Sequence, residues 1–248
     1  MTAWARLTWQ AADPAALAAE LATRLGPGAM ARAEPGSVRV VHLDDGDLDL
    51  VPWRRETADD DPRPAGRLVF EPVDHADVEP EAIGDGEAGG AARVLASPAL
   101  RLAGVGWATV ELDRAEAELE PWLDPVTVAR DATHEAPEPH LGARTRVRRS
   151  PGLPGEVLVL AEPVAEGRLA ASLARDGEGP CAMYLEPAEG LQAWRAAAAT
   201  RGIVTSKVRP GPLGASVLLA GSASGPHLII VDRPRPSSPA APGGTIAR

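Results

Sequence analysis

The chain has 248 residues, enough for one or two domains with a real core, and its 44% apolar and 24% charged residues are those of an ordinary globular protein. A formal charge of −10 opposes long-range attraction to nucleic acid, and no apolar run is long enough to span a bilayer, so neither nucleic acid nor membrane is expected as a partner. A single cysteine, Cys181, rules out an intrachain disulfide and a cysteine-rich zinc site. The first residues lack the apolar core of a secretory signal, so the expected location is the cytoplasm.

Residues 4–53 read as β-α-β-β. A strand-like run, Ala5 to Gln10, leads to Asp13 as helix cap and Pro14 at the first helical position. Leu17, Leu21 and Leu25 then repeat every fourth residue as a core stripe, and Gly26 ends the helix. A strand from Val38 to Leu43 turns at Asp44-Asp45-Gly46 into a return strand, Asp47 to Trp53. Residues 54–65 are charged and Pro-rich and read as a loop, followed by a short strand from Arg67 to Glu71. Residues 74–100, rich in Gly, Ala, Asp and Glu without a period, read as a linker or insertion.

The plan returns at 101–163. A strand through Trp107 precedes a helix capped by Asp113 and running to Trp122. The Pro-rich stretch with His134 and His140 reads as a loop. A hairpin follows, Gly142 to Arg149 against Glu156 to Ala161. Arg144, Arg146, Arg148 and Arg149 on this hairpin lack the interleaved aromatics of a nucleic-acid surface and read as solvated. Glu166 to Asp176 is expected to be a short bridging helix. A third copy fills 180–233: a strand that buries Cys181, a helix over 189–201 ended by Gly202, and strands at 203–208, 214–220 and 226–232. The tail over 234–248 is expected to be disordered. One such unit exposes an apolar sheet face and must pair with another to bury it. Three copies leave one without a partner. A second chain, making a homodimer, or residues 66–73 would supply the missing edge.

This plan, with Val110-Glu-Leu-Asp-Arg-Ala115 at a helix entry, Asp47-Leu-Asp-Leu-Val-Pro52 as a closing strand and Gly225-Pro-His-Leu-Ile-Ile-Val-Asp232 at the end, resembles the vicinal oxygen chelate superfamily. That group includes glyoxalase I, extradiol dioxygenases and bleomycin-resistance proteins. The resemblance covers most of residues 4–53 and 101–233. It implies an α+β fold of repeated βαβββ modules pairing into half-open barrels: a module over 1–73, a linker, and paired modules over 101–233. It also implies a metal held by a His on a module's first strand and a Glu near the end of its last. The first-strand positions fall near Ala5 or Arg6 and near Gly104 or Val105, and the third copy's opening strand, Pro180 to Tyr184, has no His. The last-strand positions hold Asp49, Val159 and Ile229. A divalent ion needs several converging N or O ligands, and these positions offer at most one.

The remaining histidines have neither HExxH nor His-x-His spacing, and Gly221 to Gly225 misplaces the serines of a nucleophile elbow. His134, Glu135, Glu138 and His140 form the only cluster with metal-like content. The function expected is therefore metal-independent binding of a small hydrophobic or amphipathic molecule in an apolar cleft, with no cofactor and with contacts from Trp9, Trp53, Trp107, Tyr184 and Glu162. The alternative is a lyase, isomerase or dioxygenase holding a divalent metal at atypical positions: His42, Asp49, Glu162 and His227.

Overall fold

The computed structural model of the protein describes residues 4–11, 23–25, 30–34, 37–43, 46–52, 67–73, 100–120, 134–149, 157–220 and 226–232. Trp53, the linker over 74–99, Trp122, the Gly221–Gly225 stretch and the tail lie outside the described residues.

Two sheets result. The first contains β1 (Trp4–Ala11), β2 (Met30–Glu34), β3 (Ser37–Leu43), β4 (Gly46–Pro52) and β5 (Arg67–Val73), in the order β2-β3-β4-β1-β5. β1 runs parallel to β4, as the first and last strands of a βαβββ module must, and helical residues 23–25 lie between β1 and β2. β2, which pairs with β3 through Met30 to Glu34, is a strand the sequence pattern did not announce. β5 takes the free edge of β1, antiparallel, from Trp4 opposite Val73 to Gln10 opposite Arg67. The segment over 67–73 thus supplies the odd module's missing edge.

The second sheet is built from two full modules. β6 (Leu100–Ala108), α1 (Leu112–Leu119), β7 (His134–Glu138), β8 (Ala143–Arg149) and β9 (Val157–Pro163) form one. After α2 (Arg168–Asp176), β10 (Gly179–Pro187), α3 (Leu191–Thr200), β11 (Arg209–Gly211), β12 (Gly214–Leu218) and β13 (His227–Asp232) form the other. Their first strands, β6 and β10, pair antiparallel at the centre, giving the order β11-β12-β13-β10-β6-β9-β8-β7. The sheet curls into a nearly closed barrel, bringing β11 and β7 close together. This is the α+β paired-module architecture that the resemblance implies.

Alternation along each strand sorts the side chains between two faces. Val157, Val159 and Ala161 join Tyr184, Ile229 and Val231 in the interior. Leu158 and Leu160 turn outward beneath α1, where they meet Leu112, Leu119 and Trp107. Leu102, Val105, Met183, Leu185 and Ile230 turn outward beneath Leu191, Trp194 and Ala198 of α3, and Leu25 from the first module joins them. Each such side chain, fully buried, contributes on the order of 2 kcal/mol. α2 lies across one end of the barrel. The Leu169 amide donates to the Leu141 carbonyl at 3.2 Å, and the Leu169 side chain enters the interior cluster.

The central pairing tolerates little extra volume. A Cβ on Gly106 would stand 2.8 Å from the Ala182 Cβ and 3.4 Å from the Tyr184 ring. Gly106→Ala is expected to cost about 1–3 kcal/mol by overpacking, read as a lower urea midpoint with an unchanged m-value.

Several expected boundaries move. Asp113 lies inside the first turn of α1 rather than capping it, and Glu111 occupies the cap position without a side-chain bond. The cap comes from a neighbouring strand: Glu162 Oε2 accepts the Leu112 amide at 3.1 Å. Residues 203–208 form no strand beyond a single bridge, Thr205 with Leu219. The expected Pro-rich loop contains β7. Its Pro137 is tolerated because β7 is the last strand of the sheet, where a missing amide proton leaves no ladder bond broken.

Arg144 and Arg149 of the arginine hairpin are exposed as expected, whereas Arg146 and Arg148 are drawn out of solvent. Arg144, Arg146 and Arg148 alternate onto the outer face of β8 and meet carboxylates of α1, β7 and β9. Arg146 bonds Glu135 at 2.9 Å, Glu116 at 3.1 Å and also Asp113; Arg144 bonds Glu162 at 2.8 Å. The Arg148 side chain, only 6% exposed, bonds Glu116.

Candidate functional site

The barrel interior is apolar except at one side, where β7 meets β11 and β12. Glu138 ends β7 and points inward, fully buried. Its Oε1 accepts the His140 amide at 3.0 Å, and its Oε2 accepts the Tyr184 hydroxyl at 3.2 Å. The local fold is a tight turn in which the Leu141 and Gly142 amides both donate to the Glu138 carbonyl. Gly142 adopts φ +71°, a left-handed conformation that suits glycine. Among the described residues no cation pairs with Glu138. Burial without a counter-charge lifts its carboxyl to about 7, against the pull of the two hydrogen bonds. The same burial holds the Tyr184 phenol protonated, helped by the neighbouring Glu138.

His140 joins the two ends of the sheet. Its Nε2 lies 3.1 Å from the Ser216 carbonyl, which only accepts, so Nε2 carries the proton. Nδ1 is then free to accept from the Ser206 hydroxyl at 3.3 Å. Burial, with Arg209 and Arg168 nearby, lowers the His140 pKa and keeps the ring neutral. Ser206 also accepts the Leu218 amide at 2.9 Å, tying the segment before β11 to β12. At the α2 end, His227 Nε2 meets the Ser172 hydroxyl at 3.1 Å. Burial, with Arg168 and Arg175, lowers its pKa to about 4.

Of the residues expected to bind a ligand, Tyr184, Trp107 and Glu162 have described side chains, and they lie on two faces of the sheet. Tyr184 is in the interior, whereas Trp107 lies on the opposite face of the sheet against α1. Glu162 is also on that outer face, engaged by Arg144 and the α1 amino terminus. Trp9 lies on β1 of the first sheet. Of the atypical metal ligands, His42 lies on β3 and Asp49 on β4, while Glu162 and His227 each have the partners just given. Among the described residues no three His, Cys, Asp or Glu side chains are placed to hold a metal. At the metal positions within the barrel, Gly104 presses against the Val157 carbonyl and Val159 and Ile229 are fully buried. The side chains of Gly104, Val159 and Ile229 carry no metal-ligating atom. Cys181 is buried, with its thiol pushed up to about 12 by burial.

Glu138 is the residue that sequence reasoning left unassigned. It stands in the His134–His140 cluster, in a stretch whose prolines read as a loop. The available sign was that Ala136 and Glu138 share a parity facing Thr145 and Ala143, which needs β7 to be recognised as a strand.

Among the described residues no helix is long and apolar enough to cross a membrane. No protein-family model and no curated protein matches the chain. Among solved structures, methylmalonyl-CoA epimerase from Mycobacterium tuberculosis matches with a TM-score of 0.47 and 21% identity, over 58% of this chain and 95% of that one. A hypothetical protein from Bacillus halodurans C-125 matches at 0.43 and 15%, over 56% and 98%. A variant of Streptomyces coelicolor methylmalonyl-CoA epimerase in complex with 2-nitronate-propionyl-CoA matches at 0.41 and 20%, over 53% and 96%. Each spans little more than half of this chain, and nothing of their chemistry is carried over to it.

Proposed function

We propose that this chain is a metal-independent small-molecule binding protein with a glyoxalase-like fold, holding an amphipathic ligand inside the barrel of residues 100–232. One observation carries the reading. The interior walls are Val157, Val159, Ala161, Ile229 and Val231, with the Glu138–Tyr184 pair as a polar end and no donor at the family's metal positions. Apolar walls with few convergent polar groups favour a ligand that is largely hydrocarbon and carries one hydrogen-bonding function. Trp107 contributes through the packing of the sheet against α1 rather than by lining this interior.

The test is a thermal-shift screen of small amphipathic molecules, with and without a chelator. A ligand present at a hundred times its Kd is expected to add about 2.7 kcal/mol of stability, unchanged by chelation. Tyr184→Phe, which removes the hydroxyl, is expected to weaken binding about three- to tenfold. A screen without a single stabilising compound sinks the proposal. Binding that requires added Mn, Fe, Ni or Zn replaces it with a metal-dependent lyase, isomerase or dioxygenase.

A further inference from the structure

We propose that the seam between β7 and the β11–β12 hairpin is a proton-controlled gate to the barrel interior, closed while Glu138 is protonated and released when it ionises. As a route for ligand entry this rests on the binding role above, but the gate itself is a property of the unliganded chain.

The geometry begins with the ends of the sheet. β7 and β11 are the two terminal strands and share no backbone ladder. Among the described residues, the side-chain hydrogen bonds across the seam come from one turn residue, His140, which meets the Ser216 carbonyl and the Ser206 hydroxyl. Every other joint in the barrel is a strand ladder, so the seam is its weakest closure.

Glu138 sits directly behind that closure. A Cβ on Gly211 of β11 would stand only 3.3 Å from Glu138 Oε2, so the glycine lets the carboxyl lie against the opposing strand. The described titratable and charged groups around the cluster are Tyr184 and Cys181 on β10, His140 on the turn, Arg209 on β11 and Arg168 on α2. The two arginines are exposed and act on His140; neither pairs with Glu138. A protonated carboxyl accepts the His140 amide and shares one hydrogen bond with the Tyr184 oxygen, and carries no charge that must be solvated. A carboxylate has further lone pairs that demand donors, and beyond the Ser216 hydroxyl, which is already given to the Arg209 carbonyl, the interior around it is largely hydrocarbon. Water is the available donor, and the seam, where no ladder joins the described strands, lies directly beside the carboxylate. His140 is carried by the same turn, and the Glu138 carbonyl accepts two amides of that turn, so movement of the carboxyl pulls on the His140 latch.

Hydrogen exchange of the unliganded full chain tests this at pH 6 and pH 8, corrected for intrinsic exchange rates. Wild type is compared with Glu138→Gln, which cannot ionise and keeps a carbonyl for the His140 amide and an amide for the Tyr184 oxygen. His140 titrates in both proteins, so its contribution cancels in their ratio. The ratio of seam opening, wild type over variant, read at 135–142 and 206–218, is expected to rise about tenfold from pH 6 to pH 8. Peptides over 157–163 and 182–185 are expected to keep their protection. A pH-independent ratio overturns the gate, as does an equal loss of protection at the seam and in the central strands. Should Glu138→Gln fail to fold, Glu138→Met is the second non-ionising variant, with the same outcomes. Because no ligand enters the measurement, a failed ligand screen leaves its result intact.

Discussion

Glu116→Ala is expected to destabilise the protein by about 1–3 kcal/mol, measured as a drop in the free energy of unfolding in urea. Glu116 projects from α1 onto β8, where it bonds both Arg146 and Arg148. The Arg148 side chain is 6% exposed and that of Arg146 is 17% exposed. Removing the carboxylate takes a charged partner from a largely desolvated guanidinium, a change whose upper bound is the roughly 3–5 kcal/mol lost on breaking a fully buried pair. Arg146 keeps Asp113 and Glu135, so the loss falls mainly on Arg148. The double variant Glu116→Ala with Arg148→Met is expected to recover much of the deficit, because an apolar stem can pack where the charge could not. If the single variant loses less than about 1 kcal/mol, the network is a surface feature and this account of α1 docking fails.

The second large effect is on the pH dependence of stability. Glu138 holds its proton in the folded state to about pH 7, whereas the unfolded chain gives it up near the ordinary 4.5. Between these values the native state binds more protons, so stability falls as pH rises, by on the order of 3 kcal/mol in total, and then levels. His227 acts in the opposite direction. The unfolded ring takes a proton below its ordinary 6.5, whereas the folded ring takes one only near 4. Stability is therefore lost as pH falls through that window, and His140, also lowered, adds with the same sign. In wild type the opposing slopes overlap between pH 4.5 and 6.5. Glu138→Gln removes one of them. Its advantage over wild type is expected to grow from pH 4.5 to 7 and then hold, while the variant alone loses stability toward acid. Urea unfolding at pH 5, 6, 7 and 8 reads this directly. A difference between the two proteins that does not change with pH would falsify the buried, uncompensated state of Glu138.

The module plan was legible in the sequence because it rests on local patterns. Leu25 and Gly202 belong to periodicity and capping features that need no tertiary knowledge, while Asp13, Pro14, Leu17, Leu21 and Gly26 lie outside the described residues. Gly202, with φ +74°, does end α3, and Leu25 does reach the core. β7 was hidden because its five residues include a proline, and only its place at the sheet edge makes that proline harmless. Glu162 was hidden for another reason. A strand-end acid followed by proline reads as solvated or as poised at a barrel mouth. Its actual partners, Arg144 and the Leu112 amide, are brought to it by strand register and helix docking. Trp107 and Tyr184 both looked suited to line a cleft. The face each takes depends on where β6 and β10 break their register, near Pro180–Ala182 and Tyr184–Leu185, and composition does not reveal such breaks.

The central pairing of β6 with β10 also bears on how the chain comes to be made. Gly106 lies opposite Ala182, so the joint that unites the two modules cannot form until most of the chain has been synthesised. Until then β6 has only β9 beside it, and Leu102 and Val105 have no α3 or β10 to cover their side of the strand. Such late, sequence-distant closure slows folding and leaves an adhesive strand edge exposed during translation. Efficient production of this protein is therefore expected to depend more on chaperone supply during synthesis than on the stability of the finished fold.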